Sequence, residues 1–287
     1  MKALVTGGCG FIGSNLVDRL IERNHEVTVI DNLSSGKKNN VNDKANYIFE
    51  DLSKVLLNEK KYNFNPEEFD CVFHLAAMPR IQPSFDNPLY TIDNNAYGTA
   101  LVCEMAKKYN LKVIYAGSSS FYGGVYLNPY SFSKWMGEEV CQMYSKVYGI
   151  SSCVARFFNV YGPRHLRTGP YSTVIGIFEE QKRLDQSLTI TGDGEQRRDF
   201  THVYDICDAL IKMSKDTHMC EIFNLGTGTN YSINEVAAMF NHRTSYIAKR
   251  PGEAKTTLAD ITKAKTILDW SPKYFLKDYI DIFSEGK

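Results

Sequence analysis

The sequence predicts an α/β fold, a Rossmann-type doubly wound parallel sheet with a smaller C-terminal α/β domain. Three observations predict it. Short β-branched runs alternate with helical patterns over the first 160 residues, a glycine-rich turn joins the first strand to the first helix, and the strands are nearly continuously apolar. Such strands are typical of a parallel sheet with helices on both faces. We therefore expect a sheet domain over 1–160 and a smaller domain over 161–287, between which the chain can cross back.

The first half alternates strand and helix patterns in a regular order. Strands are predicted at 2–6, 26–31, 46–50, 71–77, 112–120 and 151–162. Helices are predicted at 11–23, 90–109 and 132–148, where apolar residues recur at helical spacing. This order predicts repeated β-α-β units, the building blocks of a parallel sheet.

The regularity weakens after Pro163. The sequence there predicts a turn and strand over 192–200, a helix over 203–215, a strand with a glycine-rich turn over 223–232, a helix over 233–240, a loop over 249–253 and a closing helix near 274–283. We find no repeat and no long linker. These segments are assigned to the smaller domain.

Composition excludes several classes of partner. Lys and Arg number 33, as do Asp and Glu, so the formal net charge is zero and no basic excess favours nucleic acid or a membrane surface. The seven cysteines are scattered without a CxxC pair, a pattern typical of reduced thiols. No apolar stretch approaches the roughly 18 residues of a transmembrane helix. We expect a soluble, cytoplasmic protein.

Histidine chemistry offers no metal site. His74 lies in an apolar strand pattern, where a hydrogen-bonded core histidine is the better interpretation. His165 and His202 have no partner at ligand spacing. We predict no metal.

A glycine triplet marks a candidate dinucleotide site. Gly7, Gly10 and Gly13 follow the first strand and open the first helix, where a tight turn lets the backbone approach a pyrophosphate at the helix N-terminus. Asp31 ends the second strand, and a carboxylate there binds ribose hydroxyls and repels a 2′-phosphate. NAD is therefore favoured, although Lys37 and Lys38 leave NADP open. The alternative is a glycine turn that only serves helix packing.

Tyr130 and Lys134 stand four residues apart at the start of a predicted helix, so their side chains share one face. A phenol has a pKa near ~10, and lowering it to neutrality takes roughly 4 kcal/mol. We expect Lys134 and the positive charge of an oxidised nicotinamide to supply that energy. Without further context the pair would be an ordinary amphipathic surface pair.

The chain resembles the extended short-chain dehydrogenase/reductase family, specifically the NAD-dependent nucleotide-sugar epimerases and dehydratases. The resemblance rests on ten segments in family order: TGGCGFIGSNL, DNLSSG, VFHLAA, NNAYGT, SSSFYG, YSFSK, RFFNVYGPR, GDGEQRRDF, FNLGTG and RPGE. They extend over nearly the whole chain.

The resemblance implies a role for each matching residue. The implied catalytic residues are Ser118, Tyr130 and Lys134. The implied NAD-binding residues are Gly7, Gly10, Phe11, Ile12, Gly13, Asp31, Asn32, Asp51, Leu52, Leu75, Ala76, Ala77, Asn95, Tyr130 and Lys134. The implied substrate-binding residues are Ser118, Ser119, Ser120, Asn159, Arg198, Arg250, Glu253 and Thr257.

Within these sets, Asp51 is expected at the adenine and Asn95 on the floor of the active site. Arg198 and Arg250 are expected at the substrate diphosphate together with Asn159, and Glu253 at the nucleoside ribose. Arginine suits the diphosphate because its planar fork meets phosphate oxygens in pairs.

The residues after Ser118 distinguish the reactions of the family. The resemblance implies that dehydratases and UDP-glucuronate decarboxylases carry acids where this chain has Ser119 and Ser120. A serine cannot act as a carboxyl acid near neutral pH. We therefore expect 4-epimerisation of a UDP-hexose, UDP-glucose or UDP-galactose, through a 4-keto sugar. The alternatives are a decarboxylase, a dehydratase, a reductase, or a non-catalytic NAD-binding sensor.

Three further expectations follow from the resemblance. Thr257 is small at a position where a large residue excludes N-acetylhexosamines, so UDP-GlcNAc and UDP-GalNAc should also be substrates. Residues 124–129 replace a longer loop of the family, which predicts a more open cleft from which NAD or intermediate escapes more readily. Helices 90–109 and 132–148 are expected to form a homodimer.

Overall fold

The computed structural model describes residues 1–215 and 220–284. Its strands are β1 (Lys2–Thr6), β2 (Glu26–Ile30), β3 (Asn46–Ile48), β4 (Cys71–His74), β5 (Lys112–Ser118), β6 (Ser152–Phe157), β7 (Val160–Tyr161), β8 (Leu188–Thr191), β9 (Arg197–Asp199), β10 (Thr201–His202), β11 (Glu221–Leu225), β12 (Asn230–Ser232) and β13 (Thr244–Ile247). Seven of them form the main sheet.

The α-helices are α1 (Phe11–Glu22), α2 (Leu52–Leu57), α3 (Ile81–Asp86), α4 (Pro88–Ile92), α5 (Gly98–Tyr109), α6 (Ser120–Gly123), α7 (Pro129–Tyr148), α8 (Val174–Arg183), α9 (Val203–Lys215), α10 (Ile233–Met239), α11 (Thr262–Leu268) and α12 (Leu276–Ser284). A π-helical turn, Asp93–Tyr97, connects α4 to α5. Short 3₁₀ turns at 38–40, 59–62 and 66–68 complete the helical segments.

The main sheet is parallel throughout, in the order β11-β6-β5-β4-β1-β2-β3. The chain builds outward from β1 through β2 to β3 and then returns to lay β4 on the other side of β1. This reversal opens a crevice beyond the carboxyl ends of β1 and β4, the position where open α/β sheets bind ligands. The predicted α/β fold with a doubly wound parallel sheet is confirmed.

Two apolar cores lie on the two faces of this sheet. Ala3 and Val5 of β1 contribute to the core that α1 and α9 cover, whereas Leu4 contributes to the core with residues of α2, α5 and α7. The alternation follows from the two-residue period of side chains along a strand. Both faces are buried, which explains why the strands are apolar almost throughout.

Residues of β7, α8, β8, α10 and α12 form a third core. β8 pairs in parallel with β13, and β9 pairs antiparallel with β12. This core contains Phe178 of α8, Phe240 at the end of α10 and Ile280 of α12. β11 returns to the main sheet and pairs with β6. The division at residue 160 stays a prediction.

The secondary-structure predictions agree best for the helix at 203–215 and for buried strands of the main sheet. The helix at 203–215 is confirmed at both ends, and the strands at 2–6 and 112–120 agree within two residues. The strand predicted at 151–162 is wrong as one element, because β6 ends at Phe157 and β7 is separate. The helix predicted over 90–109 is interrupted by the π-helical turn. In the described residues, no helix has the length and apolarity to cross a bilayer.

Candidate active site

A cleft of about 460 Å³ runs along the carboxyl edge of the main sheet, from the glycine turn after β1 to Arg198 of β9. Most of the predicted site residues line it: Gly7, Gly10, Phe11, Ile12, Gly13, Asp31, Asn32, Asp51, Leu52, Leu75, Ala76, Ala77, Ser118, Ser119, Ser120, Tyr130, Lys134, Asn159, Arg198 and Thr257. Asn95, Arg250 and Glu253 do not line it. The structure therefore brings together residues from both halves of the sequence.

The glycine turn is tight because the backbone leaves no room for side chains. Gly7 has φ +74°, and a Cβ there would lie 2.8 Å from the backbone nitrogen of Ala76. A Cβ on Gly13 would overlap the carbonyl oxygen of Gly7. The turn ends at Gly10, after which α1 begins with no side-chain cap, so its first amides are available to a ligand. These features fit a pyrophosphate.

The end of the cleft near Asp31 and Asp51, where adenosine is expected, is acidic. The carboxylate of Asp31 accepts hydrogen bonds from the backbone nitrogens of Cys9, at 2.9 Å, and Leu33, at 2.7 Å. Asn32 donates to Asp51 at 2.6 Å. Lys37 and Lys38 lie outside the cleft lining. A carboxylate held in this way suits ribose hydroxyls, and the residues present fit NAD better than NADP.

Tyr130 and Ser118 meet where β5 ends and α7 begins. Asn128 caps α7 by accepting a hydrogen bond from the backbone nitrogen of Ser131 at 2.7 Å. The Tyr130 hydroxyl donates to Ser118 Oγ at 3.4 Å. Ser118 Oγ also accepts from the backbone nitrogen of Ser120, at 3.2 Å. The pair can present a phenol and a hydroxyl to the same substrate oxygen.

Several groups around Tyr130 act on the pKa of its phenol. Burial raises the pKa of the phenol, and the negative charge of Glu138 raises it further. The hydrogen bond with Ser118 and the positive charge of Arg80 lower it. Lys134 lies with its Nζ 4.2 Å from the centroid of the Tyr115 ring, and burial lowers the pKa of its ammonium to about 8. In the protein alone the pKa of the Tyr130 phenol is raised above its usual value, and the activating role expected of Lys134 stays a prediction.

Arg80 is the residue that sequence reasoning missed. It follows β4 at the reversal point of the sheet, lines the cleft, and donates from Nε to the carbonyl oxygen of Tyr171 at 3.1 Å. Its backbone has φ +82°, a conformation rare for residues other than glycine. A signal existed, because a loop that follows a buried strand at this edge faces the ligand crevice.

The serines after β5 supply hydroxyls without an acid. Ser119 is 9% exposed. Ser120 Oγ is buried and has no hydrogen-bond partner among the described residues. Because a buried hydroxyl without a partner is costly, its position in the cleft favours a ligand that supplies one.

The resemblance implied that Asn95 lies on the floor of the cleft, but Asn95 does not line the cleft. Its side chain is buried beneath the cleft wall, where Oδ1 accepts from the backbone nitrogen of Met78 at 2.7 Å. Its Nδ2 donates to the carbonyl oxygen of Met78 and to Ser133 Oγ. These bonds satisfy both amide ends, so Asn95 positions the segment that leads to Arg80.

The far end of the cleft carries one of the two predicted arginines. Arg198 lines the cleft and forms an ion pair with Glu253, at 3.6 Å between Nη2 and Oε2. Asn159 donates to the carbonyl oxygen of Asp199 at 3.1 Å and to Thr257 Oγ1 at 3.5 Å. Arg250 is exposed to solvent and outside the cleft lining. Arg198 thus lines the cleft and Arg250 does not, and the diphosphate role expected of them stays a prediction.

The short turn at 124–129 packs against the segment that follows Arg250. Asn128 donates to the carbonyl oxygen of Gly252 at 2.9 Å, and Gln82 donates to that of Pro251 at 3.0 Å. Leu127, Gly252 and Ala254 all line the cleft. The second segment therefore covers part of the region that the short turn was expected to open.

His74 is a hydrogen-bonded core histidine, as predicted. It is 1% exposed, and its two ring nitrogens lie 2.7 Å from Thr6 Oγ1 and 3.1 Å from Thr99 Oγ1. His165 pairs with the buried Glu179 at 2.9 Å. Across residues 1–215 and 220–284, no cluster of His, Cys, Asp and Glu side chains has the arrangement of a metal site.

Comparison with known proteins agrees with this geometry. The model of the NAD dependent epimerase/dehydratase family matches residues 3–226. A putative UDP-glucose 4-epimerase of Methanocaldococcus jannaschii is 38% identical over 300 residues, which cover 96% of this chain and 95% of that protein. UDP-glucuronic acid decarboxylase 1 of Xenopus tropicalis is 31% identical, over 94% of this chain and 68% of that protein.

A solved structure has the same fold over nearly the whole chain. The crystal structure of UDP-glucose 4-epimerase from Thermotoga maritima with UDP-glucose has a TM-score of 0.93 to this chain and 31% sequence identity. The match covers 99% of this chain and 98% of that one. The similarity thus extends through both the sheet and the third core.

Proposed function

The chain belongs to the NAD dependent epimerase/dehydratase family, and we propose that it binds NAD and inverts C4 of a UDP-hexose through a 4-keto sugar. The proposal rests on one observation above the others: the Tyr130 hydroxyl lies 3.4 Å from Ser118 Oγ inside the cleft, and the next two residues are serines rather than acids.

In the proposed reaction, Ser118 holds the sugar 4-hydroxyl while Tyr130, as the phenolate, takes its proton. NAD, held by the glycine turn and Asp31, would supply a hydride acceptor and donor for C4, with no net change of the cofactor over a cycle. Tyr130 then returns its proton to the oxygen at C4 after the sugar has turned its other face to the cofactor. Proton and hydride are thus both conserved.

The serines explain why the reaction stops at inversion. Elimination of the C6 hydroxyl needs an acid to protonate the leaving group, and Ser119 and Ser120 cannot serve near neutral pH. Two hydroxyls at this position can instead accept and donate hydrogen bonds to either orientation of the sugar. Ser120 Oγ is buried and has no hydrogen-bond partner in the part of the chain that the structure describes, which supports this role.

Arg198 is the residue we assign to the substrate diphosphate, with Asn159 beside it. The guanidinium is 13% exposed at the end of the cleft, and burial lowers its pKa while Glu253 acts in the opposite direction. A guanidinium binds phosphate oxygens in pairs. The small residue Thr257 lies nearby, which supports acceptance of N-acetylhexosamines as well.

The experiment is incubation with UDP-glucose, UDP-galactose, UDP-GlcNAc, UDP-GalNAc, UDP-glucuronate and GDP-mannose without added NAD, followed by NMR analysis of the sugar. We expect the C4 epimer of a UDP-hexose and no net change in NADH. Tyr130→Phe should lose at least about 100-fold in rate because it removes the base. Tyr126→Phe, which changes an exposed tyrosine of the short turn, is the control and should retain activity.

Other products would replace the proposal. Carbon dioxide and a UDP-pentose would identify a decarboxylase, a 4-keto-6-deoxy sugar a dehydratase, and net NADH oxidation a reductase. NAD binding with no turnover of any sugar would favour a sensor.

A further inference from the structure

We propose that Gln82 and Phe85 of α3 are positioning residues, which hold residues 251–254 over the cleft and so keep the 4-keto sugar bound until its hydride returns. We call residues 251–254 the closing segment. The inference deepens the proposed function and rests on it for the identity of the sugar. It concerns the side of the cleft that the short turn at 124–129 was expected to leave open.

The closing segment is a wall of the cleft at the hydroxyl cluster. Gly252 and Ala254 line the same cleft as Ser120 and Tyr130. A Cβ built on Gly123 would lie 2.6 Å from the Cβ of Ala254, so the segment packs against α6, the helix that begins at Ser120. A sugar held at these hydroxyls would therefore have the closing segment beside it.

Two side chains of α3 contact the closing segment. Gln82 donates from Nε2 to the carbonyl oxygen of Pro251 at 3.0 Å. A Cβ built on Gly252 would lie 2.9 Å from Phe85 Cζ, so the ring packs directly against the backbone of Gly252. Gly252 has φ +72°, a conformation that glycine adopts without strain. The helix thus holds the segment by one polar and one apolar contact.

The helix α3 is itself fixed to the residue that acts as base in the proposed reaction. Ser84, which is 1% exposed, accepts a hydrogen bond at Oγ from the backbone nitrogen of Tyr130, at 3.1 Å. Gln82 and Phe85 are more exposed than Ser84, and neither lines the cleft. Their truncation should therefore release the closing segment without removing a contact to substrate or opening a core.

Other contacts of the closing segment have further roles. Asn128 donates to the carbonyl oxygen of Gly252 at 2.9 Å, but it also caps α7. Glu253 pairs with Arg198 at 3.6 Å, and a substrate diphosphate would compete for that guanidinium. The contacts with α3 involve no group that we assign to substrate, so they can persist while substrate is bound.

Retention matters because the proposed reaction is not complete when the hydride has left C4. The sugar has then lost two electrons, and the cofactor has gained them. A 4-keto sugar that escapes at this stage leaves one NADH behind, and the next cycle cannot begin until that NADH is reoxidised or exchanged for NAD. Covering the cleft during this interval therefore favours inversion over loss of the intermediate.

The first experiment measures how often the intermediate escapes. Gln82→Ala/Phe85→Ala and Gly252→Ala, loaded with NAD, are given the UDP-hexose that the wild type inverts fastest. NMR counts the epimer and the free 4-keto sugar, and absorbance counts NADH. We expect the 4-keto sugar released per inversion to rise about 5- to 10-fold, with one NADH for each sugar released. A merely structural role would lower inversion and release together and leave their ratio unchanged.

The second experiment needs no turnover. Trypsin cuts a folded chain where the backbone opens locally, and Lys255 directly follows the closing segment. In the ligand-free protein we expect cleavage after Lys255 to be about 5- to 10-fold faster in both variants. Cleavage after Lys60, in the 3₁₀ turn at 59–62, is the internal reference and should not change.

Gln142→Ala/Phe275→Ala is the matched control, because it changes the same residue types at positions that do not line the cleft. Gln142 donates to Glu139 at 3.4 Å, and Phe275 is 54% exposed. This variant should match the wild type in both experiments.

Unchanged cleavage after Lys255 in both test variants would overturn the inference, as would an unchanged release per inversion in variants that still epimerise. Faster cleavage in a protein that inverts no sugar would contradict the proposed function and still support the hold of α3 on the closing segment. Gly252→Ala changes the same contact from the other side, so it decides the outcome if the double variant does not fold.

Discussion

Ser120 presents a buried hydroxyl at the cleft. Its Oγ is buried at the cleft with no partner among the described residues, and the neighbouring Ser118 hydroxyl is already engaged by Tyr130. A hydrogen bond to substrate is worth roughly 0.5 to 1.5 kcal/mol, whereas an unpaired buried hydroxyl costs about 1 to 3 kcal/mol. Ser120 is thus expected to stabilise the complex with substrate more than it stabilises the free protein.

Ser120→Ala should therefore separate stability from binding. We expect KM for the sugar nucleotide to rise about 3- to 10-fold, while the melting temperature of the substrate-free protein stays the same or increases. Calorimetry and initial-rate kinetics on the same preparation check both. A clear fall in melting temperature would contradict the prediction.

Ser133→Ala is the control for this prediction. The Ser133 hydroxyl donates to the carbonyl oxygen of Tyr130 at 2.9 Å and accepts from Asn95 at 2.9 Å. Its removal leaves a buried amide donor without that partner, so we expect destabilisation of about 1 to 3 kcal/mol. Ser133→Ala should thus lower the melting temperature, whereas Ser120→Ala should leave it unchanged or raise it.

At single residues, the sequence predicted the hydroxyl cluster better than the charges around it. Ser118 and Tyr130 meet as expected because each stands at the end of an element, where direction follows from strand and helix geometry. Arg80 was not singled out, and Asn95 was expected on the floor of the cleft, because their positions depend on a loop with φ +82° and on hydrogen bonds to the Met78 backbone. Neither feature leaves a periodic pattern in the sequence.

At the scale of elements, the glycine turn depends on contacts that a methyl group would disturb. Gly13→Ala should destabilise the protein by about 2 to 3 kcal/mol, because the new Cβ would overlap the carbonyl oxygen of Gly7 and force the turn apart. It should also weaken NAD binding, since the turn would no longer hold its shape. Urea unfolding and calorimetric titration with NAD measure the two effects.

Gly98→Ala is the control for this change. Gly98 has helical dihedral angles, and its new Cβ would lie 3.8 Å from the nearest atom, the carbonyl oxygen of Asp93. Alanine is favoured over glycine in a helix, so we expect a gain of roughly 0.5 to 1 kcal/mol. Equal stability losses at Gly13 and Gly98 would show that the overlap is not the cause.

Short elements explain most of the differences between prediction and structure. β8 and β13 have four residues each and pair across more than fifty positions of sequence, so alternation within either one is too brief to identify it. α3 contains Pro83, which conceals a helical pattern. The long helix α9 and the buried strands of the sheet, by contrast, have apolar patterns that predict one type of secondary structure.

At the scale of the whole molecule, exposed apolar side chains support the predicted homodimer. Tyr97 beside α5 is 48% exposed, and on α7 Met143 is 42% and Val147 64% exposed. α5 and α7 pack against each other, so these side chains lie on neighbouring helices. A second copy of the chain could cover them by placing the same pair of helices against this one.

Met143→Asp should dissociate that dimer, because burying a carboxylate without a partner opposes association. Light scattering should give twice the 32.6 kDa chain mass for the wild type and the single mass for the variant. Leu184→Asp changes a residue of similar exposure after α8, 48%, and should leave the dimer intact. A Met143→Asp protein that keeps the wild-type mass would refute the proposed interface.

The return of β11 to the main sheet has a consequence during synthesis. β6 is complete at Phe157, yet its outer neighbour begins only at Glu221. A nascent chain on the ribosome thus carries an unpaired strand edge while the intervening segment is translated, and such edges attract other chains. Pausing of translation before residue 225 should therefore increase the demand for chaperones more than a pause after it.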